Sequence, residues 1–285
     1  MKIVAGVDWS DEAFAAVKQI GLFYRPDEVV LVHGVDLGMF HYPIVAEAAN
    51  IQGYDEFRHA LLEAGRQAVE HCCTLLSTDI PSVKTRVDVQ PPASFILDTA
   101  ASAKADLVAV GTHDHNRITE VFAGSISHHV LLHATLPTVI VKGSARPISR
   151  ILMAVEGRED AIRLQQWLTA HPFKNPVAVT VFSVVPSLHV VEPHMLIGLA
   201  GWSEQQKQQA EQVVKDTALA LTSAHFIVTS EVRLGDPVTT VCEAGVAYDL
   251  IVIGSHGRKG FNRFLMGSVS HGIVHRASCS VLVVR

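Results

Sequence analysis

The sequence contains no long apolar run, although 48% of its residues are hydrophobic. A membrane-spanning helix needs about twenty consecutive, mostly apolar residues, so we expect none here and no association with a membrane. The first residues, MKIVAGVDWS, start a strand pattern at once and lack the apolar segment of a signal peptide. From these two absences we expect a cytoplasmic protein.

Cysteine is scarce. The four cysteines, Cys72, Cys73, Cys242 and Cys279, fall inside helix or strand patterns without the spacing of metal ligands. We therefore expect free and mostly buried thiols. The 16 histidines are more numerous, and three pairs have a regular spacing: His113 with His115, His129 with His133, and His271 with His275. Since no third ligand stands at a fixed spacing from any pair, we predict no metal site.

Positive charge is also in short supply. The net charge is −5; residues 1–147 hold 11 Lys and Arg against 17 Asp and Glu, and the remainder holds 12 against 11. Neither half has the basic face that a nucleic-acid-binding domain presents, so we expect no nucleic-acid partner.

An internal repeat determines the domain organisation. Residues 106–127, DLVAVGTHDHNRITEVFAGSIS, match residues 249–270, DLIVIGSHGRKGFNRFLMGSVS, at a spacing of 143 residues. The repeat predicts two domains, 1–143 and 148–285, joined by the short segment KGSARP at 142–147. In each, apolar strand patterns alternate with helical patterns, which predicts an α/β fold: a doubly wound, five-stranded parallel sheet with helices on both faces. In the second domain we expect irregular chain over 186–202 and a helix from 203.

The second copy of the repeat carries a glycine pattern suited to phosphate. Gly254 follows a buried strand, Gly257 comes three residues later, and Gly267-Ser268 starts a helix. The unpaired amides of a helix N-terminus and its dipole favour an anion. The intervening loop is cationic, with Arg258, Lys259 and Arg263. This arrangement favours a nucleotide phosphate site, although a tight turn and an ordinary helix cap would use the same glycines.

The pattern Gly-x2-Gly-x9-Gly-Ser, after the strand DLIVIG and before the strand SVLVV, resembles the universal stress protein family over nearly the whole chain, as two tandem copies. The resemblance implies stress response and binding of ATP, AMP or ADP, with or without Mg²⁺. In that family an acid ending the first strand and residues ending the second strand hold adenosine, while the glycine loop holds phosphate. In the second domain the corresponding positions are Glu156, Gly157, Phe182, Ser183, Val184, Gly254, Ser255, His256, Gly257, Arg258, Gly267, Ser268, Val269 and Ser270. Glu156 replaces the usual Asp, which changes the reach toward adenosine.

The first copy departs from the family pattern in its phosphate loop. Asp114 replaces the second glycine, and the three loop cations are matched by His115, Asn116 and Glu120. Arg117 is the only fixed positive charge in this loop. We therefore expect a second, weaker site there, formed by Asp8, His33, Gly34, Gly111, Thr112, Gly124 and Ser125.

Three functions remain open at this point. The first is an ATP-binding regulatory protein in which the nucleotide tunes conformation or the choice of an unknown protein partner. The second is a slow ATPase or nucleotidyl-transfer enzyme, although the lysine-containing GxxxxGK[ST] loop and an identifiable general base are missing, so we assign no catalytic residue. The third is a scaffold with a relic site in the first domain. The resemblance also implies pairing of the two last strands, Thr138–Val141 with Ser280–Val284, as an intramolecular pseudo-dimer, and it allows a homodimer.

Overall fold

The computed structural model describes residues 1–38, 53–112, 125–187, 196–223, 225–255 and 266–285, without the side chains of Ser125 and of residues 196–203. The chain separates into two compact units, Met1–Arg146 and Pro147–Arg285. The elements of the first unit are β1 (Lys2–Gly6), α1 (Asp11–Phe23), β2 (Glu28–Gly34), α2 (Tyr54–Leu75), β3 (Ser82–Asp88), α3 (Pro92–Ala103), β4 (Leu107–Gly111), α4 (Ser125–His133) and β5 (Thr138–Val141).

The second unit repeats this order of elements. They are β6 (Arg150–Ala154), α5 (Arg158–Ala170), β7 (Val177–Pro186), α6 (Leu196–Leu221), β8 (Phe226–Gly235), α7 (Pro237–Gly245), β9 (Leu250–Gly254), α8 (Ser268–Arg276) and β10 (Ser280–Val284).

Each unit is built on a parallel sheet. The strand order is β3-β2-β1-β4-β5 in the first unit and β8-β7-β6-β9-β10 in the second, and all described pairings within a unit are parallel. In the first unit α1 and α2 pack together and α3 packs with α4; in the second, α5 packs with α6 and α7 with α8. The predicted doubly wound α/β fold is confirmed.

The central strands explain why the sequence adopts this fold. β4, β9 and β10 are almost continuous apolar runs, and nearly every residue in them is buried. Such runs are typical of parallel strands covered by helices on both faces. The order in which successive strands are added to the sheet reverses between β1 and β4, and again between β6 and β9. The crevice at the carboxyl ends of these strand pairs is where open α/β sheets bind ligands.

Helix α6 differs from the sequence-based expectation. It begins at Leu196, within the stretch predicted to be irregular, instead of at 203. The residues LIGLAGW at its start contain two glycines and no capping signal, so the pattern there does not mark a helix.

The expectation of free and mostly buried thiols is confirmed. All four cysteines are free, and three of them are buried. Trp167 is buried and stacks on His171, with ring centroids 4.8 Å apart. The side chain of Gln19 makes two hydrogen bonds to the backbone of Arg146, so the end of the segment KGSARP is fixed to α1. In the part of the chain that the structure describes, no helix is long and apolar enough to cross a membrane.

Candidate functional site

The two ends of the phosphate loop predicted in the second domain lie together and are joined by a hydrogen bond. Ser255 follows β9, and its amide donates to the carbonyl of Val284 at 2.9 Å. The carbonyl of Ser255 in turn accepts a hydrogen bond from the amide of Gly267 at 2.8 Å. Residues 256–265 lie outside the described part of the chain, so the predicted contacts of His256, Gly257 and Arg258 remain predictions. The described residues show that both ends of this loop are held at the carboxyl edge of the sheet.

Helix α8 starts where the two ends of this loop meet. Gly267 occupies the cap position with extended backbone, and a glycine offers no side chain to cap the first amides. Ser268 and Val269 in the first turn are exposed. The hydroxyl of Ser270 is buried and donates to the carbonyl of Gly254 at 2.7 Å, which ties the helix to the end of β9. The arrangement fixes a helix N-terminus, with its partial positive charge, next to the end of a central strand.

Gly254 has a packing role that the sequence did not reveal. A Cβ built there would overlap the carboxylate of Asp160 and lie 2.9 Å from Arg163 Nη2. Gly111, its counterpart in the first domain, is as constrained, because a Cβ there would lie 2.5 Å from the carbonyl carbon of Glu12 and 2.9 Å from the amide nitrogen of Ala13. In both copies the first glycine of the motif therefore lets the first helix of the unit approach the strand.

Asp160 is a residue at this edge that the sequence analysis missed. Its carboxylate forms an ion pair with Arg163 at 2.6 Å and accepts a hydrogen bond from the amide of Glu156 at 3.3 Å. Burial raises the pKa of Asp160, and the charge of Arg163 opposes that shift. The pair could have been recognised from its (i, i+3) spacing in the first turn of α5, although the contact with Gly254 spans 94 residues of sequence.

The ends of β6 and β7 carry the residues predicted to hold adenosine. Glu156 is exposed, Gly157 caps α5 and Val184 is half-buried. The hydroxyl of Ser183 donates to the carbonyl of Val155 at 3.0 Å.

Phe182 is fully buried, and Arg233 lies 5.3 Å from the centre of its ring. Its carbonyl accepts the amide of Val155 at 2.8 Å. The side chain of Phe182 therefore packs in the core, and its carbonyl takes part in a hydrogen bond within the sheet.

At the matching strand ends of the first domain, Asp8 and Gly34 are in contact with neighbouring segments. The carboxylate of Asp8 accepts hydrogen bonds from the amide of Ser10, at 2.9 Å, and from the Ser10 hydroxyl. A Cβ at Gly34 would lie 2.7 Å from Pro92 Cα and 2.8 Å from the carbonyl oxygen of Gln90. The loop after β3 thus lies directly over the end of β2.

His33 takes the structural place of Ser183. Its Nδ1 lies 2.8 Å from the carbonyl of Val7, as the hydroxyl of Ser183 binds the carbonyl of Val155. The strand register makes Gly34 the counterpart of Val184, and it pairs Gly34 with Asp88 but Val184 with Arg233. The position beside this strand end therefore holds a carboxylate in the first domain and, in the second, a guanidinium that is ion-paired with Glu231.

The remaining residues of the first site are only partly described. Thr112 is buried, and its amide donates to the carbonyl of Val141 at 3.1 Å. Gly124 and the departure at Asp114 lie outside the described residues, and Ser125 is seen only as the first residue of α4. The described residues therefore show what contacts Asp8 and Gly34, and the weaker binding expected of this site stays a prediction.

Known proteins resemble this chain along its full length. A universal stress protein of Mycolicibacterium smegmatis is 27% identical over 292 aligned positions, covering 99% of this chain and 96% of that protein. A solved universal stress protein from Archaeoglobus fulgidus matches 100% of this chain and 96% of its own, with a TM-score of 0.55 at 14% identity. A putative universal stress protein from Pseudomonas aeruginosa matches 99% of this chain and 92% of its own, with a TM-score of 0.60 at 15% identity. At such identities the two structures establish the fold alone.

The sequence profile of the universal stress protein family matches this chain twice, over residues 1–142 and 147–285. Both matches include the glycine motif and the strand ends described above. The chain belongs to the universal stress protein family, as a tandem of two such domains.

Proposed function

We propose that the second domain binds an adenine nucleotide and that the bound nucleotide regulates conformation or the choice of a protein partner in a stress response, with little catalysis. The observation that carries the proposal is the N-terminus of α8, held at the carboxyl edge of the sheet by Ser270 and by the contact between Ser255 and Gly267. Its first turn is exposed, which suits a phosphate group.

The adenosine would lie across the neighbouring strand ends. Exposed Glu156 offers a carboxylate acceptor for a ribose or adenine donor, and half-buried Val184 offers an apolar contact. Arg233, paired in register with Val184, also lies at this edge, where it forms an ion pair with Glu231 at 2.6 Å. We assign the ligand contact at the end of β7 to Val184, because Phe182 is buried and Ser183 is bonded to the backbone.

The contacts at the strand ends of the first domain favour the scaffold function for that half of the chain. Asp8 already accepts two hydrogen bonds from Ser10, and the loop at Gln90 and Pro92 covers Gly34. A nucleotide would have to displace both contacts. We propose that this domain binds adenine nucleotide weakly or not at all.

The proposal of little catalysis rests on the chemistry of the described edge. Asp160 lies beside the end of β9, and its ion pair with Arg163 leaves it poorly suited to bind Mg²⁺ or to act as a general base. A slow ATPase stays the alternative, with a turnover below about one per second. Steady-state measurement of phosphate release from ATP, with and without Mg²⁺, distinguishes the two.

Ser268 provides the sharpest test of the phosphate site. A carboxylate in the first turn of a helix favours the helix dipole, so Ser268→Asp should leave stability unchanged or raise it. The same charge opposes a phosphate at that position and should weaken ATP binding by roughly tenfold or more. Ser268→Asn is the neutral control of matched size and should bind like the wild type.

Native mass spectrometry of freshly purified protein and calorimetric titration with ATP, ADP and AMP give the readout. We expect about one nucleotide per chain. Equal affinities of the Asp and Asn variants would contradict a phosphate at the start of α8, and absence of any nucleotide binding by the wild type would refute the proposed function.

A further inference from the structure

Helix α8 carries a second set of polar groups, distinct from its amides. His271 and His275 stand four residues apart and are half-buried on one side of the helix. Their Nε2 atoms are 3.1 Å apart, and their ring centroids are 4.3 Å apart. Two imidazole nitrogens at this distance must share either a proton or a metal ion, because two bare lone pairs repel each other.

The separation of the two Nε2 atoms suits one metal ion. With metal–nitrogen bonds of about 2.0–2.1 Å, two cis ligands lie about 2.9 Å apart at a right angle and about 3.3 Å apart at the tetrahedral angle. The observed 3.1 Å falls between these limits. Histidines at positions i and i+4 of a helix are a known geometry for holding zinc on one helix face.

The backbone of α8 is fixed, so the pair is held in position. At its start, the amide of His271 donates to the carbonyl of Gly267 at 2.9 Å, and Ser270 is bonded to Gly254. Ile273 and Val274, between the two histidines, are buried. Near the end of the helix, Arg276 donates to the hydroxyl of Thr239 on α7 at 3.3 Å. A site on such a helix loses little conformational entropy when a metal binds.

We propose that His271 and His275 chelate a late first-row divalent ion, with Zn²⁺ as the cellular candidate. Imidazole nitrogen is a preferred ligand for Zn²⁺, Cu²⁺ and Ni²⁺. The sequence analysis predicted no metal site because no third protein ligand had a fixed spacing. Two converging nitrogens form a chelating pair, although a structural zinc site has four ligands. The proposal is independent of nucleotide binding.

The chain offers a matched control on another helix. His129 and His133 also stand four residues apart, with ring centroids 4.4 Å apart, but both are exposed. An exposed pair must lose more side-chain freedom to hold both rings in one geometry. It therefore has the same spacing and chemistry with weaker preorganisation.

The test uses full-length protein without a histidine tag, stripped of metal with a chelator and titrated calorimetrically with ZnCl₂. We expect the tightest site to take about one Zn²⁺ and to weaken roughly tenfold or more in His271→Gln and in His275→Gln, since one chelating ligand is lost. His129→Gln and His133→Gln should bind like the wild type.

A spectroscopic arm needs no substitution. Adding Zn²⁺ to the wild type should shift the imidazole NMR signals of His271 and His275 before those of His129 and His133. The proposal is overturned if the tightest site survives His275→Gln, if it is lost in His133→Gln, or if Zn²⁺ leaves the His271 and His275 signals unchanged.

Discussion

At the first glycine of the repeated motif, the addition of a single Cβ atom would cause a steric clash in both domains. At Gly111 a side chain would meet the backbone of Glu12 and Ala13, whereas at Gly254 it would meet the side chains of Asp160 and Arg163. Backbone in the first turn of a packed helix cannot move away alone, while an aspartate can change rotamer at the expense of its ion pair.

We therefore predict that Gly111→Ala destabilises the protein more than Gly254→Ala does. Overpacking of this kind costs about 1–3 kcal/mol, and Gly111→Ala should lie at the upper end. Urea unfolding of both variants, followed by circular dichroism, measures the difference. An equal cost at the two positions would show that the Asp160–Arg163 pair is as rigid as the backbone of α1.

The adjacent thiols of α2 give a second prediction at this scale. Burial raises the pKa of Cys72 to about 12, and the neighbouring charges of Cys73 and Asp8 add to the shift. Cys73 is half-exposed, and its pKa is also raised, mainly by burial. Because only the thiolate reacts, native protein at pH 8 should be labelled slowly by a disulfide reagent.

That labelling should occur at Cys73 first, with Cys72, Cys242 and Cys279 reacting only after unfolding. Peptide mapping after a timed reaction identifies the labelled cysteine, and Cys73→Ser should remove most of the native-state signal. Rapid labelling of Cys72 in the folded protein would contradict its burial.

At the scale of the element, helix caps differ between the two copies. Ser10 caps α1, with its hydroxyl accepting the amide of Ala13 at 3.1 Å, whereas Gly157 at the start of α5 has no side chain to do so. Loss of a serine cap costs about 1 kcal/mol, so Ser10→Ala should destabilise the first domain by that amount. Ser10→Thr retains the hydroxyl and serves as the control in the same unfolding experiment. A fully stable Ser10→Ala variant would show that Asp8 replaces the cap.

The same scale shows how much of the fold the sequence could predict. Strands such as β4 and β9 are apolar runs bounded by polar residues, so local patterns define them to within a residue or two. The start of α6 escaped prediction because LIGLAGW lacks a capping signal, and packing can override a weak local preference. The crevice at the carboxyl ends of the strands followed from the order of elements, and the glycine motif indicated the side that we propose for phosphate.

The candidate site was predictable only in part, because some of its contacts join distant segments. The packing of Gly254 against Asp160 depends on how closely α5 approaches β9, which no local pattern records. The closing of the first site by Pro92 over Gly34 is another contact between segments far apart in sequence. The repeat itself was clear from the sequence. The first glycine of the motif nevertheless has different neighbours in the two copies.

For the whole molecule, we predict functional asymmetry between the domains. The first domain has Asp88 at the edge position where the second has Arg233, and its Asp8 is bonded to Ser10. The sequence adds Asp114 in the first loop, where the second has Gly257 followed by Arg258 and Lys259. A carboxylate about 4 Å from a phosphate costs on the order of 4 kcal/mol at a surface-like dielectric.

The last prediction is therefore one strong adenine-nucleotide site per chain, in the second domain. Gly257→Asp should transfer the defect of the first loop to the second and remove most ATP binding. Asp114→Gly should restore the first site only in part, because the loop cations are still absent and the loop at Pro92 still covers Gly34. Calorimetric titration with ATP counts the sites, and the thermal unfolding of both variants checks that each still folds. Two equal sites in the wild type, or normal binding by Gly257→Asp, would mean that charge in the glycine loop does not set the affinity and that the strand ends do.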